Sequence, residues 1–228
     1  GAETVGRFFA LPPVVSMRLP DMMQYEARQQ VPFPLDQLAW DYHVVYADDD
    51  GERVPASALL LAAKRHSVSQ LLDLFADLKI RPSVLQCDCV AIYNLYRGAH
   101  CRHGAGGCED PVAILDVGSN NTNVIIGDAS EIWFRSIPRG GNDLNRAVMR
   151  QFDVSFPVAE QLKRRPTKAK RISRLHAAWE GEFENLAQEA RESIAAYHSA
   201  HRRRRVMELL LCGGGSRAIG WHRHLLGT

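Results

Sequence analysis

The sequence predicts an α/β fold, and three observations carry that expectation. Between Ala113 and Val148, apolar strand runs at Ala113–Val117, Thr122–Ile126 and Glu131–Ile137 precede an amphipathic helix opened by Gly140-Gly141-Asn142. Near the C-terminus a second glycine cluster, Gly213-Gly214-Gly215-Ser216, directly follows the apolar run Val206–Cys212, and a helical pattern comes after it. Strand, glycine turn, helix is the geometry in which backbone comes close to a ligand. The first 80 residues instead run strand, helix, strand, strand, helix, which is a compact α+β unit.

Taken in order, Arg7–Leu11 is a short strand candidate, and Pro12-Pro13 breaks the chain's regular structure directly after it. Asp21 is placed to cap a helix with Met23, Ala27 and Val31 on one face, ending before Pro32-Phe33-Pro34. Two strands, Leu38–Ala47 and Ser57–Ala63, flank the acidic turn Asp48-Asp49-Asp50-Gly51. Ser67 and Gln70 form a capping-box pair ahead of Val68, Leu71, Leu72, Phe75 and Leu78, a helical stripe expected to be core rather than groove. Arg81–Gln86 is expected as a strand and Asp88–Tyr96 as a helix, with Asp88 a candidate N-cap.

The segment from Gly98 to Asp110 holds His100, Cys101, His103 and Cys108. It is either a zinc site, without the spacing of a closed zinc module, or a variable connection between two halves.

The central stretch carries the chemistry. Asp116, Gly118 and Thr122 make D-x-G-x-x-x-T, a tight hairpin whose backbone N–H groups and hydroxyls can face a phosphate. Asp116, acceptor-only when ionised, suits a hydrated divalent cation beside that phosphate. An ordinary Asp/Gly/Asn/Thr turn is the alternative. Further on, Ser155–Arg165 is a short helix with Glu160 and Lys163 on one face, and Pro166–Arg174 is basic loop. Ile172, Leu175, Trp179, Phe183, Leu186, Ala190, Ile194 and Tyr197 then recur by threes and fours, giving one long helix with a packed face. Arg202–Arg205 is most simply a solvated helix end, with a role at anionic lipid as the secondary reading.

Composition narrows the function. At 228 residues and 46% apolar content the chain can bury a good core, as one large domain or two small ones. A net charge of +2 commits it neither to nucleic acid nor to anionic membrane. No apolar run approaches the roughly 18 residues of a spanning helix, and no signal peptide precedes the first strand. Five cysteines, an odd number without regular spacing, point to a reduced, cytoplasmic setting.

The segments D-V-G-S-N-N-T (Asp116–Thr122), R-G-G-N-D-L (Arg139–Leu144), A-E-Q-L-K-R (Ala159–Arg164) and C-G-G-G-S (Cys212–Ser216) occur in the order found in actin-like ATPases. Glu26–Tyr42, E-A-R-Q-Q-V-P-F-P-L-D-Q-L-A-W-D-Y, resembles the PilM family of type IV pilus assembly rather than its relative FtsA. The resemblance implies actin-like, ribonuclease H-like ATPase lobes with a small inserted α+β subdomain. It places that subdomain at 1–80, a connecting strand-helix and variable loop at 81–110, and the nucleotide-binding lobe at 111–228 with a helical insertion around 153–203. It also implies ATP with magnesium, held by Asp116 through water, and by Gly118, Ser119, Asn120, Thr122, Gly140, Gly141, Asn142, Gly213, Gly214, Gly215 and Ser216. Glu160 and Lys163 would touch ribose and adenine; otherwise they are a solvated ion pair. Asp88 lies closest to the residue that orients the attacking water in the wider superfamily.

Residues 1–20 lack the first acid-x-glycine phosphate loop of that superfamily, so a chain truncated at both ends is expected. The leading function is a nucleotide-gated scaffold, at most a slow ATPase, peripheral at the inner membrane. Its partner would be the tail of a PilN-like inner-membrane protein, and it could form a homo-oligomer. Tyr25, Phe33 and Leu35 are candidate anchors for that tail, unless they are ordinary core. A sugar-kinase-type phosphotransferase and a structural module that has lost nucleotide are the alternatives.

Overall fold

The computed structural model describes residues 4–12, 18–49, 52–100, 110–129, 131–169, 171–200 and 205–225. The chain divides into two compact units, residues 1–104 with 129–133, and residues 105–128 with 134–228.

The first unit is built on an antiparallel sheet of β1 (Thr4–Ala10), β2 (Leu38–Asp49) and β3 (Glu52–Lys64), with β3 in the middle. All three strands run longer than their apolar cores suggest. A bulge lies between Val45 and Tyr46, where Tyr46 pairs with Pro55. A proline cannot donate to a ladder, so the irregularity falls where the donor is missing. Helix α1 (Leu19–Gln30) covers one face of the sheet. Its Met23 and Ala27, with Val31 just beyond, pack on Ala58, Leu60 and Ala62, all at most 5% exposed. Each large apolar side chain buried in this way contributes about 1.5–3 kcal/mol.

The start of α1 departs from expectation. The helix begins before Asp21, with Pro20 in its first turn and no side-chain cap. A proline fits there because its fixed φ is helical and its missing N–H has no intrahelical acceptor to lose.

Helix α2 (Arg65–Asp77) also lacks the expected capping box. β3 runs straight into it, which leaves Ser67 inside the first turn. The start is held instead by the Arg65 guanidinium, which donates to the carbonyls of Leu38 at 2.8 Å and Asp36 at 3.1 Å. Just past the helix end Lys79 takes φ 58°, while the Ile80 amide donates back to Phe75. The core expectation for its stripe is overturned: α2 buries no residue, and Leu71, Leu72 and Leu78 are 38, 42 and 61% exposed.

Residues 81–86 are not a strand. Pro82 removes a donor, and Val84 and Leu85 stand 77 and 51% exposed without a ladder. Helix α3 (Asp88–His100) comes next, burying Cys89 and Tyr93 one turn apart.

The second sheet holds β4 (Val112–Val117), β5 (Thr122–Gly127), β6 (Ile132–Ile137) and β7 (Glu208–Cys212) in the order β6-β5-β4-β7. β4 and β5 form an antiparallel hairpin, and β7 runs parallel to β4. β5 is buried along its whole length, polar Thr122 and Asn123 included, and β4 everywhere except Asp116. Helix α4 (Gly141–Phe152) buries Leu144, Asn145, Ala147 and Val148, and α5 (Phe156–Arg164) buries Ala159 alone.

Helix α6 (Ile172–Ala200) carries the expected packed face. Leu175, Trp179, Phe183, Leu186, Ala190 and Tyr197 are at most 3% exposed, whereas Ile172 is 42% exposed at the open first turn. Phe183 packs edge-on against Trp221 of the short α7 (Trp221–Leu225), ring centroids 4.5 Å apart.

Candidate functional site

Strand register places the chemistry of the second unit. Antiparallel pairing sets Asp116 opposite Asn123, and parallel pairing sets it beside Cys212, so three polar side chains share one end of the sheet. Asn123 Nδ2 donates to Asp116 Oδ2 at 3.2 Å, and the Cys212 thiol lies 3.9 Å from Oδ1. Burial, then the Asp116 charge, pushes the Cys212 thiol up, so it stays a neutral donor.

The hairpin closes tightly, with the Gly118 amide donating to the Asn121 carbonyl at 2.9 Å. Thr122 does not present its hydroxyl to a ligand. It is fully buried and donates to the Arg139 carbonyl at 2.8 Å, tying the hairpin to the segment ahead of α4.

That segment docks onto the hairpin. The Gly141 amide donates to Gly118 at 2.9 Å, the Asn142 amide to Ser119 at 2.7 Å, and Asn142 Nδ2 to Asn120 Oδ1 at 2.9 Å. Asp143 reaches back to accept from the Gly140 amide at 2.8 Å, which caps α4.

The second glycine cluster joins them. Gly213 has φ +84°, and a Cβ there would stand 2.5 Å from Asp116 Oδ1. A Cβ on Gly215 would stand 2.6 Å from Val117 Cγ1 and 2.9 Å from the Gly118 carbonyl oxygen. One on Gly141 would be 3.4 Å from Gly215 Cα and 3.5 Å from the Gly118 carbonyl oxygen, so three turns distant in sequence meet at that carbonyl, with Gly213 against Asp116. Beside Gly214 there is open space. Ser216 closes its own turn, its hydroxyl donating to Gly213 at 2.8 Å, and Trp221 Nε1 donates to Gly215 at 3.0 Å.

Glu160 and Lys163 form the i,i+3 ion pair at 2.7 Å, and Lys163 is only 11% exposed. Lys163 Nζ also donates to the Gly141 carbonyl at 3.0 Å, which brings a cation to the meeting point. Glu160 further accepts from Asn145 at 2.6 Å and Arg164 at 2.7 Å. Burial opposes ionisation of Glu160, but donors from Lys163, Asn145 and Arg164 outweigh it and hold the carboxyl at about 2. Asn145 Oδ1 is buried without a hydrogen-bond partner.

This donor set fits a phosphate with a hydrated divalent cation. It offers a half-buried carboxylate, a nearby ammonium and backbone without side chains at the approach. Among the described residues the Ser119 and Asn120 amides have no backbone acceptor. Sequence patterns did not single out Asn123 or Asn145. Counting outward from the hairpin turn would have paired Asn123 with Asp116.

The remaining candidates lie in the first unit. Asp88 is the first residue of α3, and its Oδ1 accepts from the Cys89 amide at 2.9 Å. The Cys87 carbonyl, one residue earlier, accepts the first helical bond from Ala91, so Asp88 is not the N-cap. Tyr25 and Phe33 are 61 and 43% exposed, with Lys64 Nζ 5.7 Å over the Phe33 ring. Leu35 is half-buried against the α1 cluster, as a core residue would be. Cys101, His103 and Cys108 lie outside the described residues, and His100 stacks on Tyr96 at 4.5 Å.

A hairpin, a parallel strand and glycine turns converging on one aspartate define an actin-like α/β protein, and known structures share that fold. A chain of a PilM-PilN type IV pilus biogenesis complex superposes with a TM-score of 0.80 at 20% identity, over 99% of this chain and 63% of that one. The ethanolamine utilization protein EutJ from Carboxydothermus hydrogenoformans superposes with a TM-score of 0.51 at 15% identity, over 92% of this chain and 90% of that one. The model of the type IV pilus assembly protein PilM matches residues 16–227, and the chain belongs to that family. It spans under two thirds of the matched chain in the complex. Among the described residues no helix is long and apolar enough to cross a membrane.

Proposed function

We propose that this protein is an ATP-binding scaffold of type IV pilus assembly, acting on the cytoplasmic side of the inner membrane, in which nucleotide occupancy gates partner binding. The observation that carries this reading is the meeting of the Gly141 and Gly215 turns at the Gly118 carbonyl, with Gly213 against Asp116. The Ser119 and Asn120 amides would take phosphate oxygens, Asp116 would hold magnesium through water, and Lys163 would offset the phosphate charge. Glu160, fixed by three donors, would orient the ribose side of the ligand. Bound ATP supplies the polyanion whose presence or loss changes how these turns are held.

The partner is the N-terminal tail of a PilN-like membrane protein. Support comes from the likeness to a PilM-PilN complex and from two exposed aromatics, Tyr25 on α1 and Phe33 between Pro32 and Pro34. A disordered tail loses entropy on docking, so a few such anchors would carry its affinity.

Titration with a fluorescent ATP analogue and magnesium tests the first half. Asp116→Ala removes a charge-assisted contact of about 1.5–3 kcal/mol, so affinity should fall at least tenfold. Equal affinity in the variant would remove the basis for a phosphate site here.

A further inference from the structure

We propose that Cys87, Asp88 and Cys89 form a binding site for a thiophilic divalent cation, zinc, at the start of α3. Their two Sγ atoms and a carboxylate oxygen all lie within 4.8 Å of one another, the one such grouping among the described residues. The clustering arises from the helix start. The Cys87 carbonyl accepts from the Ala91 amide at 2.9 Å, so the three residues occupy the N-cap and first two helical positions. Side chains there crowd together, and the positive pole at the start of the helix favours negative charge beside it.

The Cys87–Asp88 spacing matches one edge of tetrahedral coordination. Zinc–sulfur bonds of ~2.3 Å and zinc–oxygen bonds of ~2.0 Å give a sulfur–oxygen edge of roughly 3.5 Å and a sulfur–sulfur edge of roughly 3.8 Å. The Cys87 Sγ to Asp88 Oδ1 distance is 3.4 Å. Asp88 is held in place because Oδ1 also accepts from the Cys89 amide at 2.9 Å. Cys87 and Asp88 are half-exposed and Cys89 is 2% exposed, so an ion enters from solvent and meets one ligand anchored in the interior. Two thiolates select against magnesium and calcium, which take oxygen donors. Three protein ligands leave the fourth position to water, so the ion exchanges rather than staples the fold.

Cobalt(II) serves as the spectroscopic probe, added to the reduced full chain and followed by zinc competition. One equivalent should bind with thiolate-to-cobalt charge-transfer absorption, and zinc should bleach it. Cys87→Ser, at a half-exposed position, should abolish the band with an unchanged circular dichroism spectrum, and Asp88→Asn should weaken binding at least tenfold. Cys101→Ser and Cys108→Ser should keep the band. Alkylation mapped by mass spectrometry gives a readout without any substitution, since zinc should protect Cys87 and leave Cys212 reactivity alone. Absence of a charge-transfer band, its survival in Cys87→Ser, or a Cys87–Cys89 disulfide forming despite saturating zinc would each overturn the proposal.

Discussion

In α6, Trp179, Phe183, Leu186 and Tyr197 are at most 3% exposed, whereas α2 buries nothing and leaves Leu72, Leu74 and Leu78 at 42, 57 and 61%. Both helices repeat apolar residues every three or four positions. The difference is what each packs on. α6 lies along α4, α7 and β5 of its own unit, while α2 touches the strands that feed it, β2 and β3. Periodicity therefore specifies that a helix has an apolar face, and the neighbours specify whether that face is core.

The largest effect should come from breaking the buried side of this comparison. Phe183→Ala removes a ring packed between Trp179, Trp221 and His224 and leaves a cavity. Urea unfolding should show a loss of about 3–5 kcal/mol. A loss below about 1 kcal/mol would mean that the α6 stripe is not the core of its unit.

Helix α5 is an intermediate case, because charge rather than apolar burial fastens it. It buries Ala159 only, and Glu160 bonds it to Asn145 of α4. The Glu160 carboxyl is depressed from 4.5 to about 2. A depressed carboxyl stabilises the fold fully above about pH 4.5 and loses that contribution as pH falls toward 2. With one quarter of the side chain exposed, the contribution should be about 1–2 kcal/mol after solvent screening. Stability measured across this window should drop in the parent and drop less in Glu160→Gln. Parallel pH profiles would assign the fastening of α5 to other contacts.

The smallest effect should come from α2. Leu72→Ser and Leu74→Ser should each change unfolding free energy by no more than about 0.5 kcal/mol, as surface substitutions do. A loss above about 1.5 kcal/mol for either would show that something covers this face in solution.

Much of the candidate site's turn geometry was legible because short polar motifs report backbone geometry directly. Asp116, Gly118 and the Gly213–Gly215 cluster announce tight turns after strands, and turns they are. Thr122 defeats that kind of reading because a hydroxyl serves equally well as an internal fastener, and only the position of the Arg139 carbonyl decides between the two uses. The expected strand at 81–86 fails for the converse reason. Val84 and Leu85 have strand propensity, but a strand exists only where a neighbour supplies hydrogen bonds, and propensity carries no information about neighbours.

By itself the sequence determined the local chemistry of this protein: which runs are strands of the second sheet, which face of α6 is apolar, and where glycine lets backbone approach backbone. Steric rules and side-chain polarity act over a few residues, so a linear text contains them. Only the tertiary structure decided that Gly141 and Gly215 meet at the Gly118 carbonyl, that Lys163 reaches the Gly141 carbonyl, and that the α2 stripe stays uncovered. Those outcomes depend on strand register and on which elements pack together, distances that no local spacing along the chain encodes.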